Sequence, residues 1–244
     1  MKHDDVDSRW LTARNVLETL QASGIEVDHE CARLLCAHAA AVLEANRRFN
    51  LTSITDPRRF VVLHIADSLA VLPAVQETPE GSGIDIGTGA GYPGLPLALV
   101  TGRAFTLLDG TGKKAAFLKD VCADLGLSWV EPIGQRAEEF AAVRPSVYAL
   151  AVSRAVGSLA TVVELAAPLL ARAGRLIAYK GQPDPRETAR GDEAAEVCGM
   201  RRVGEVRYRL ESTEERVAFV YEKVSEPKVE LPRRPGMASR KPLP

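Results

Sequence analysis

The 244-residue chain lacks the features that announce several protein classes. Its four cysteines, Cys31, Cys36, Cys122 and Cys198, form no Cys-x-x-Cys pair and have no histidines at metal-ligand spacing. Such scatter argues against a structural metal and for a reducing compartment, with each thiol expected as a small buried hydrophobe. Charge of neither sign dominates: 31 Lys and Arg against 32 Asp and Glu leave a net charge of −1. No whole-molecule field therefore draws the chain to nucleic acid or membrane. No uninterrupted apolar run approaches the roughly 20 residues of a membrane helix. The start, Met1-Lys2-His3-Asp4-Asp5-Val6-Asp7, is acidic and lacks the apolar core of a signal peptide. Together these absences predict a soluble, cytoplasmic protein with no membrane contact.

Glycine is nearly missing from the first 80 residues, where helical spacing prevails from Ser8 to about Pro79. Cys31, Leu34, Leu35, Val42 and Phe49 recur at that spacing after Asp28, a good N-cap. Asp56-Pro57 opens another helix that sets Phe60, Val61, His64, Ile65, Leu69 and Leu72 on one side. From Gly81 the composition changes. Short apolar runs (Gly83 to Ile86, Phe105 to Leu108, Trp129 to Ile133, Val147 to Val152, Arg175 to Tyr179) alternate with helical patterns (Pro93 to Val100, Thr111 to Leu125, Arg136 to Ala142, Ser158 to Leu170). That alternation predicts an α/β, doubly wound, mostly parallel sheet. After a helix near Arg186 to Val197, two strand-like runs, Arg201 to Leu210 and Arg216 to Val224, are separated only by a polar turn, so the sheet should end in an antiparallel hairpin. The predicted organisation is a helical region (1–80), an α/β domain (81–225) and an extended, Pro-rich tail (226–244) with Arg233, Arg234, Arg240 and Lys241.

The stretch Ile84-Asp85-Ile86-Gly87-Thr88-Gly89-Ala90-Gly91-Tyr92-Pro93-Gly94 is a strand, an acidic residue, alternating glycines and a helix start. Glycines let the backbone approach a ligand closely, and the amides of the following turn face whatever sits in the loop. Two cofactors fit. Gly89 to Gly94 matches the dinucleotide pattern G-x-G-x-x-G, with Asp109 about 20 residues downstream for a ribose hydroxyl. Asp85 before alternating glycines instead suggests the S-adenosylmethionine version of the loop. The terminal hairpin, usual in methyltransferases with this sheet, favours the second. A nicotinamide-dependent oxidoreductase is the enzymatic alternative; an RNA-binding ribosome-assembly factor with a vestigial pocket is the non-enzymatic one.

A more specific resemblance rests on Asn50-Leu51-Thr52, His64-x-x-Asp67-Ser68-Leu69, Asp85 to Pro96 with its Tyr92-Pro93-Gly94-Leu95-Pro96 ending, Leu108-Asp109-x-x-x-Lys113-Lys114-x-x-Phe117-Leu118, Ser153-Arg154-Ala155, Lys180-Gly181 and the terminal Arg233-Arg234-x-Gly236 to Leu243. From about Asn46 onward the sequence resembles the RsmG (formerly GidB) family of bacterial small-subunit ribosomal RNA guanine-N7 methyltransferases. The resemblance implies a Rossmann-like class I methyltransferase sheet and S-adenosylmethionine as cofactor. Gly87 and Tyr92 match the positions that meet the methionine end and sulfonium, Ala137 and Glu138 the pair that contacts adenine, and Arg154 the cofactor-site arginine after the fourth strand. Asp85, Gly89 and Asp109 complete the expected cofactor set. Gly110 stands where relatives commonly carry serine.

The implied chemistry needs no catalytic base. Guanine N7 already offers an in-plane lone pair, so positioning should dominate, and no catalytic residue is assigned. Consistently, Ser153-Arg154-Ala155-Val156 replaces the Asn/Asp-Pro-Pro-aromatic signature of exocyclic-amine enzymes, and no cysteine follows Pro or Thr as in cytosine-C5 enzymes. N7 lies in the deep, narrow groove of A-form RNA, so the target guanine should be unpaired or splayed out. With little net charge, the chain should bind naked RNA weakly and act, as a monomer, on an assembled or partly assembled small subunit. His64 with Asp67 and Ser68 reads equally well as a polar cluster joining the helices to the sheet. Lys113 and Lys114 open a helix and are solvated by default, whereas Arg154 and Lys180, at sheet ends, are candidates for cofactor carboxylate, phosphate or guanine. Replacing Tyr92 by Ala is expected to weaken cofactor binding and leave the fold intact.

Overall fold

The structure, a computed structural model, describes residues 10–210 and 214–244. The acidic start, the first residues of the helical region and the hairpin turn lie outside them. Helices come first: α1 (Ala13–Ala22), α2 (His29–Asn46), then a run of α3 (Pro57–Phe60), a π-helical segment (Val61–Ala66) and α4 (Asp67–Leu69), followed by α5 (Leu72–Gln76). Asp28 and Asp56 cap α2 and α3, accepting from the backbone amides of Cys31 and Arg59.

Alternation then runs β1 (Gly83–Ile86), α6 (Gly94–Thr101), β2 (Phe105–Leu108), α7 (Gly112–Asp124), β3 (Val130–Ile133), α8 (Ala137–Val143), β4 (Tyr148–Arg154), α9 (Leu159–Ala166), β5 (Leu170–Lys180), α10 (Pro185–Val197), β6 (Met200–Leu210), β7 (Glu214–Lys223) and a last turn, α11 (Met237–Arg240). The sheet order is β3-β2-β1-β4-β5-β7-β6. β1 to β5 are parallel, and β7 runs antiparallel between β5 and β6. The chain winds outward from β1 through β3 and then back to β4, which makes the carboxyl ends of β1 and β4 the switch point where ligands bind in such sheets.

Each strand alternates its residues between two cores. One face, with Leu107, Leu150, Val152 and Ile177, shares a cluster with the N-terminal helices, including Leu20, Leu35, Phe60 and Ile65. The other, with Ile84, Ile86, Leu176 and Phe219, packs against α8, α9 and α10 through Phe140, Leu159 and Ala195. The helices before Gly81 thus form one layer of the sheet's own core.

Two expectations need correction. α9 ends at Ala166 rather than Leu170, because Pro168 cannot continue it and Leu170 already pairs with Tyr148 as the start of β5. The tail carries no long secondary structure but is folded onto the body: Ala238 is buried, and Leu231 and Leu243 pack against the second core.

Candidate active site

At the end of β1, Asp85 is fully buried. Its Oδ2 accepts from Thr88 Oγ1 at 2.7 Å and from the Gly94 amide at 2.8 Å, which fixes the glycine loop at both ends. Its Oδ1 has no partner among the described residues. Burial dominates the hydrogen bonds and pushes this carboxyl up to about 6. A buried acceptor left open asks for a donor.

The loop's shape follows from its glycines. Gly87 has φ +74°, and a Cβ there would meet Val156 Cγ2 at 2.3 Å. Gly89 has φ +60°, but a Cβ would meet nothing within 4 Å, so its open side is where a ligand can approach the backbone. The Gly89 amide donates to Asp109 Oδ2 at 3.0 Å, and the Thr111 amide to Asp109 Oδ1 at 2.8 Å. Asp109, at the end of β2, thus ties the two loops together and keeps lone pairs for further donors. Lys114 Nζ lies 3.8 Å from Asp109, while Lys113 is exposed. A Cβ on Gly110 would sit 3.5 Å from Arg136, an ordinary contact, so the serine of relatives would fit there.

Tyr92 lies differently from what the motif suggests. Its ring is 5% exposed and sandwiched between His38 and His64, at centroid distances of 4.6 and 5.0 Å, with Phe60 edge-on at 5.8 Å. Its hydroxyl is buried without a partner among the described residues. The side chain is therefore a piece of the core, and the expectation that Tyr92→Ala would spare the fold is corrected. His38, which no motif singled out, is the anchor: fully buried in α2, it donates from Nε2 to the Ala90 carbonyl at 2.7 Å. Burial lowers it to about 4, so it stays neutral at physiological pH.

Arg154, at the end of β4, faces the helices. Nη1 donates to the Leu63 carbonyl (3.1 Å) and to Asp67 Oδ2 (2.5 Å), and Nη2 donates to His64 Nδ1 (3.1 Å). Because guanidinium only donates, His64 accepts at Nδ1 and carries its proton on Nε2, which reaches Thr52 Oγ1 at 2.9 Å. Burial, with Arg154 beside it, lowers His64 to about 3. Asp67 also accepts from Tyr208 on β6, and Ser68 offers its carbonyl to Tyr179 on β5. The His64, Asp67 and Ser68 cluster thus joins helices to sheet, as the polar-cluster reading of the sequence has it. Ala155 (φ +60°) turns the chain sharply after Arg154 and brings Val156 onto Gly87.

Lys180, at the end of β5, is not a free cation: it pairs with Glu187 at 2.6 Å and donates to the Gly157 carbonyl. A cleft of about 150 Å3 opens beside these strand ends, lined by Arg154, Ala155, Tyr179, Lys180, Gly181 and Tyr208. Ala137 and Glu138 stand at the start of α8 after β3, both buried; Glu138 Oε1 accepts from the Gly236 amide of the tail at 2.7 Å. The structure therefore gathers Asp85, Gly87, Gly89 and Asp109 in one loop system, with Arg154 one strand across and Ala137 and Glu138 two strands the other way. A ligand bearing a cationic group and a ribose diol suits these acceptors.

Comparison with known proteins selects among such ligands. The family model of rRNA small subunit methyltransferase G matches residues 32–226. Curated ribosomal RNA small subunit methyltransferases G are 34% identical over 224 residues in Carboxydothermus hydrogenoformans (90% of this chain, 95% of the relative) and 37% identical over 242 residues in Synechococcus elongatus (96% and 97%). Among solved structures, a Corynebacterium glutamicum protein superposes with a TM-score of 0.52 at 20% identity, covering 88% of this chain and 99% of that one. The M. jannaschii protein TYW2 in complex with AdoMet superposes at 0.50 with 15% identity, covering 64% and 77%. Those two likenesses bear on the fold alone. The sequence relationship goes further: this chain belongs to the rRNA small subunit methyltransferase G family.

Proposed function

We propose that this protein transfers the methyl group of S-adenosylmethionine to N7 of a guanine in small-subunit (16S) ribosomal RNA. The observation that carries the reading is the family relationship across nearly the whole chain, joined to a glycine loop whose open face lies at Gly89 beside the orphaned Asp85 carboxylate. When bound, S-adenosylmethionine supplies an electrophilic methyl on a sulfonium. The chain's part is to hold and aim. Asp85 and the Gly87 to Gly89 backbone receive the methionine end, and Tyr92 braces that loop from behind. Asp109 takes the ribose, the turn at Ala137 and Glu138 faces the adenine, and Arg154 borders the side on which the base enters. The acceptor guanine approaches through the cleft at the ends of β4 and β5.

No side chain is asked to remove a proton, since the attacking lone pair is already free and the product ring keeps the transferred positive charge. Catalysis is then proximity and alignment. The substrate is the RNA within an assembled or partly assembled small subunit, and the enzyme works as a cytoplasmic monomer off the membrane. A near-neutral chain lacks the basic field that makes phosphate contacts strong. Incubation with S-adenosylmethionine and either small subunits or protein-free 16S RNA, followed by nucleoside mass spectrometry, tests this. 7-Methylguanosine is expected on the particle and at least about tenfold less on naked RNA at physiological salt; equal yields would refute presentation by the particle, and none on either would refute the activity.

A further inference from the structure

The tail beyond the hairpin makes a set of contacts that the cofactor loop does not explain. Glu164, on α9, is 3% exposed, and its carboxylate is held by Arg233 through Nε at 2.7 Å and Nη2 at 2.6 Å, with the Leu243 amide at 3.2 Å. Arg233 Nη2 also donates to the Lys241 carbonyl, closing the segment on itself. Thr161 Oγ1 donates to the Ala238 carbonyl at 3.0 Å. Between these clamps the Gly236 amide donates to Glu138 Oε1 at 2.7 Å. Glu138 is itself 8% exposed, so this backbone donor is what makes its carboxylate tolerable where it sits.

We propose that the segment from Arg233 to Leu243 is a strap that positions the cofactor's adenine-side turn: Arg233 clamps Glu164, seats the Gly236 amide on the Glu138 carboxylate, and so fixes the Arg136 to Glu138 backbone. The inference rests on the reading that Ala137 and Glu138 face the adenine. It assigns the Glu138 side chain to the tail and leaves the backbone of that turn for the cofactor. Arg233 is then a positioning residue that touches neither cofactor nor RNA. The coupling has a physical sense: with the strap lifted, a nearly buried carboxylate without a donor turns toward water and takes the turn with it. Arg233 has a different job from the one a basic tail suggests, because it is spent on Glu164.

Calorimetric titration of S-adenosylhomocysteine tests the strap without requiring methyl transfer. The proteins are the full chain, Glu138→Ala, Glu138→Gln, and a chain ending at Leu231 in a Glu164→Leu background, so that no lone buried charge is left behind. The truncation and Glu138→Ala should each weaken binding about tenfold, the loss of one charge-assisted hydrogen bond. Combined, they should weaken it no further than either alone, because both remove the same contact. Glu138→Gln, which keeps an acceptor oxygen, should recover most of the loss. KM for the RNA should stay unchanged. Additive losses, or a truncation that leaves cofactor affinity intact and raises KM for RNA, would overturn the strap in favour of a direct contact or an RNA-binding arm. Should the truncated chain not fold, equal affinities for Glu138→Ala and the full chain overturn it as well. A full chain that binds no S-adenosylhomocysteine would instead remove the cofactor reading on which the strap depends.

Discussion

Asp85 is where the demands of fold and ligand meet on one residue. Two hydrogen bonds to Oδ2 hold the loop, while Oδ1 is buried without a partner among the described residues, and burial raises the carboxyl to about 6. A carboxyl raised in the folded state contributes stability that is complete below its unfolded value near 4 and is lost as pH climbs through 6. A cationic ligand reverses the preference, since its ammonium, directly or through a water, favours the ionised form. S-adenosylhomocysteine affinity should therefore rise with pH up to about 6, approaching about tenfold per unit well below it, and level off above. Asp85→Asn should bind weakly with a flat profile; a wild-type profile already flat from pH 5 to 7 would contradict the assignment. Tyr92 makes the complementary case. Tyr92→Ala removes a ring from the His38 and His64 stack and should cost about 3 to 5 kcal/mol in chemical denaturation. Tyr92→Phe removes only a hydroxyl that has no partner among the described residues and should leave stability equal or slightly higher. A loss of cofactor affinity in Tyr92→Phe with stability preserved would return the hydroxyl to the binding surface.

At the scale of elements, the site depends on how the helices before Gly81 dock. His38 on α2 holds the Ala90 carbonyl, and the π-helical segment with α4 presents Leu63, His64 and Asp67 to Arg154 at the end of β4. Arg154→Met would take the guanidinium away from Asp67, which is 5% exposed and also accepts from Tyr208. Destabilisation of about 3 to 5 kcal/mol is expected, read as a lower denaturation midpoint at unchanged slope. Arg154→Met/Asp67→Leu should regain most of it, whereas a double variant no better than the single one would show that Arg154 does not serve as Asp67's counter-ion. Much of this architecture was legible in the residues. β1 and β2 fall at the expected residues, and the hairpin follows from two strand runs with nothing but a turn between them. What escaped was what local pattern does not encode. No spacing marks His38 as the partner of a carbonyl 52 residues away. The π winding alters helix register without a residue signature, and Arg233 and Gly236 in the tail look solvated until Glu164 and Glu138 are seen beneath them.

Across the whole molecule, the strands' carboxyl ends collect the chemistry and the rest supplies rigidity. The apolar segment Pro57–Gln76 has the length and hydropathy of a membrane span, yet just over half of its most apolar window is buried inside the protein, as fits a core helix. Charges are similarly spent internally: Arg154 on Asp67, Lys180 on Glu187, Arg233 on Glu164 and Arg202 on Asp192. With a net charge of −1 and these four cations paired, little whole-molecule field is left to seek phosphate. The proposed activity is read most directly at the modified nucleoside itself. Mass spectrometry of 16S ribosomal RNA from a strain lacking this protein should find one 7-methylguanosine missing, restored by the wild-type protein and not by Asp85→Asn. An unchanged 7-methylguanosine content in the deletion strain would contradict the account.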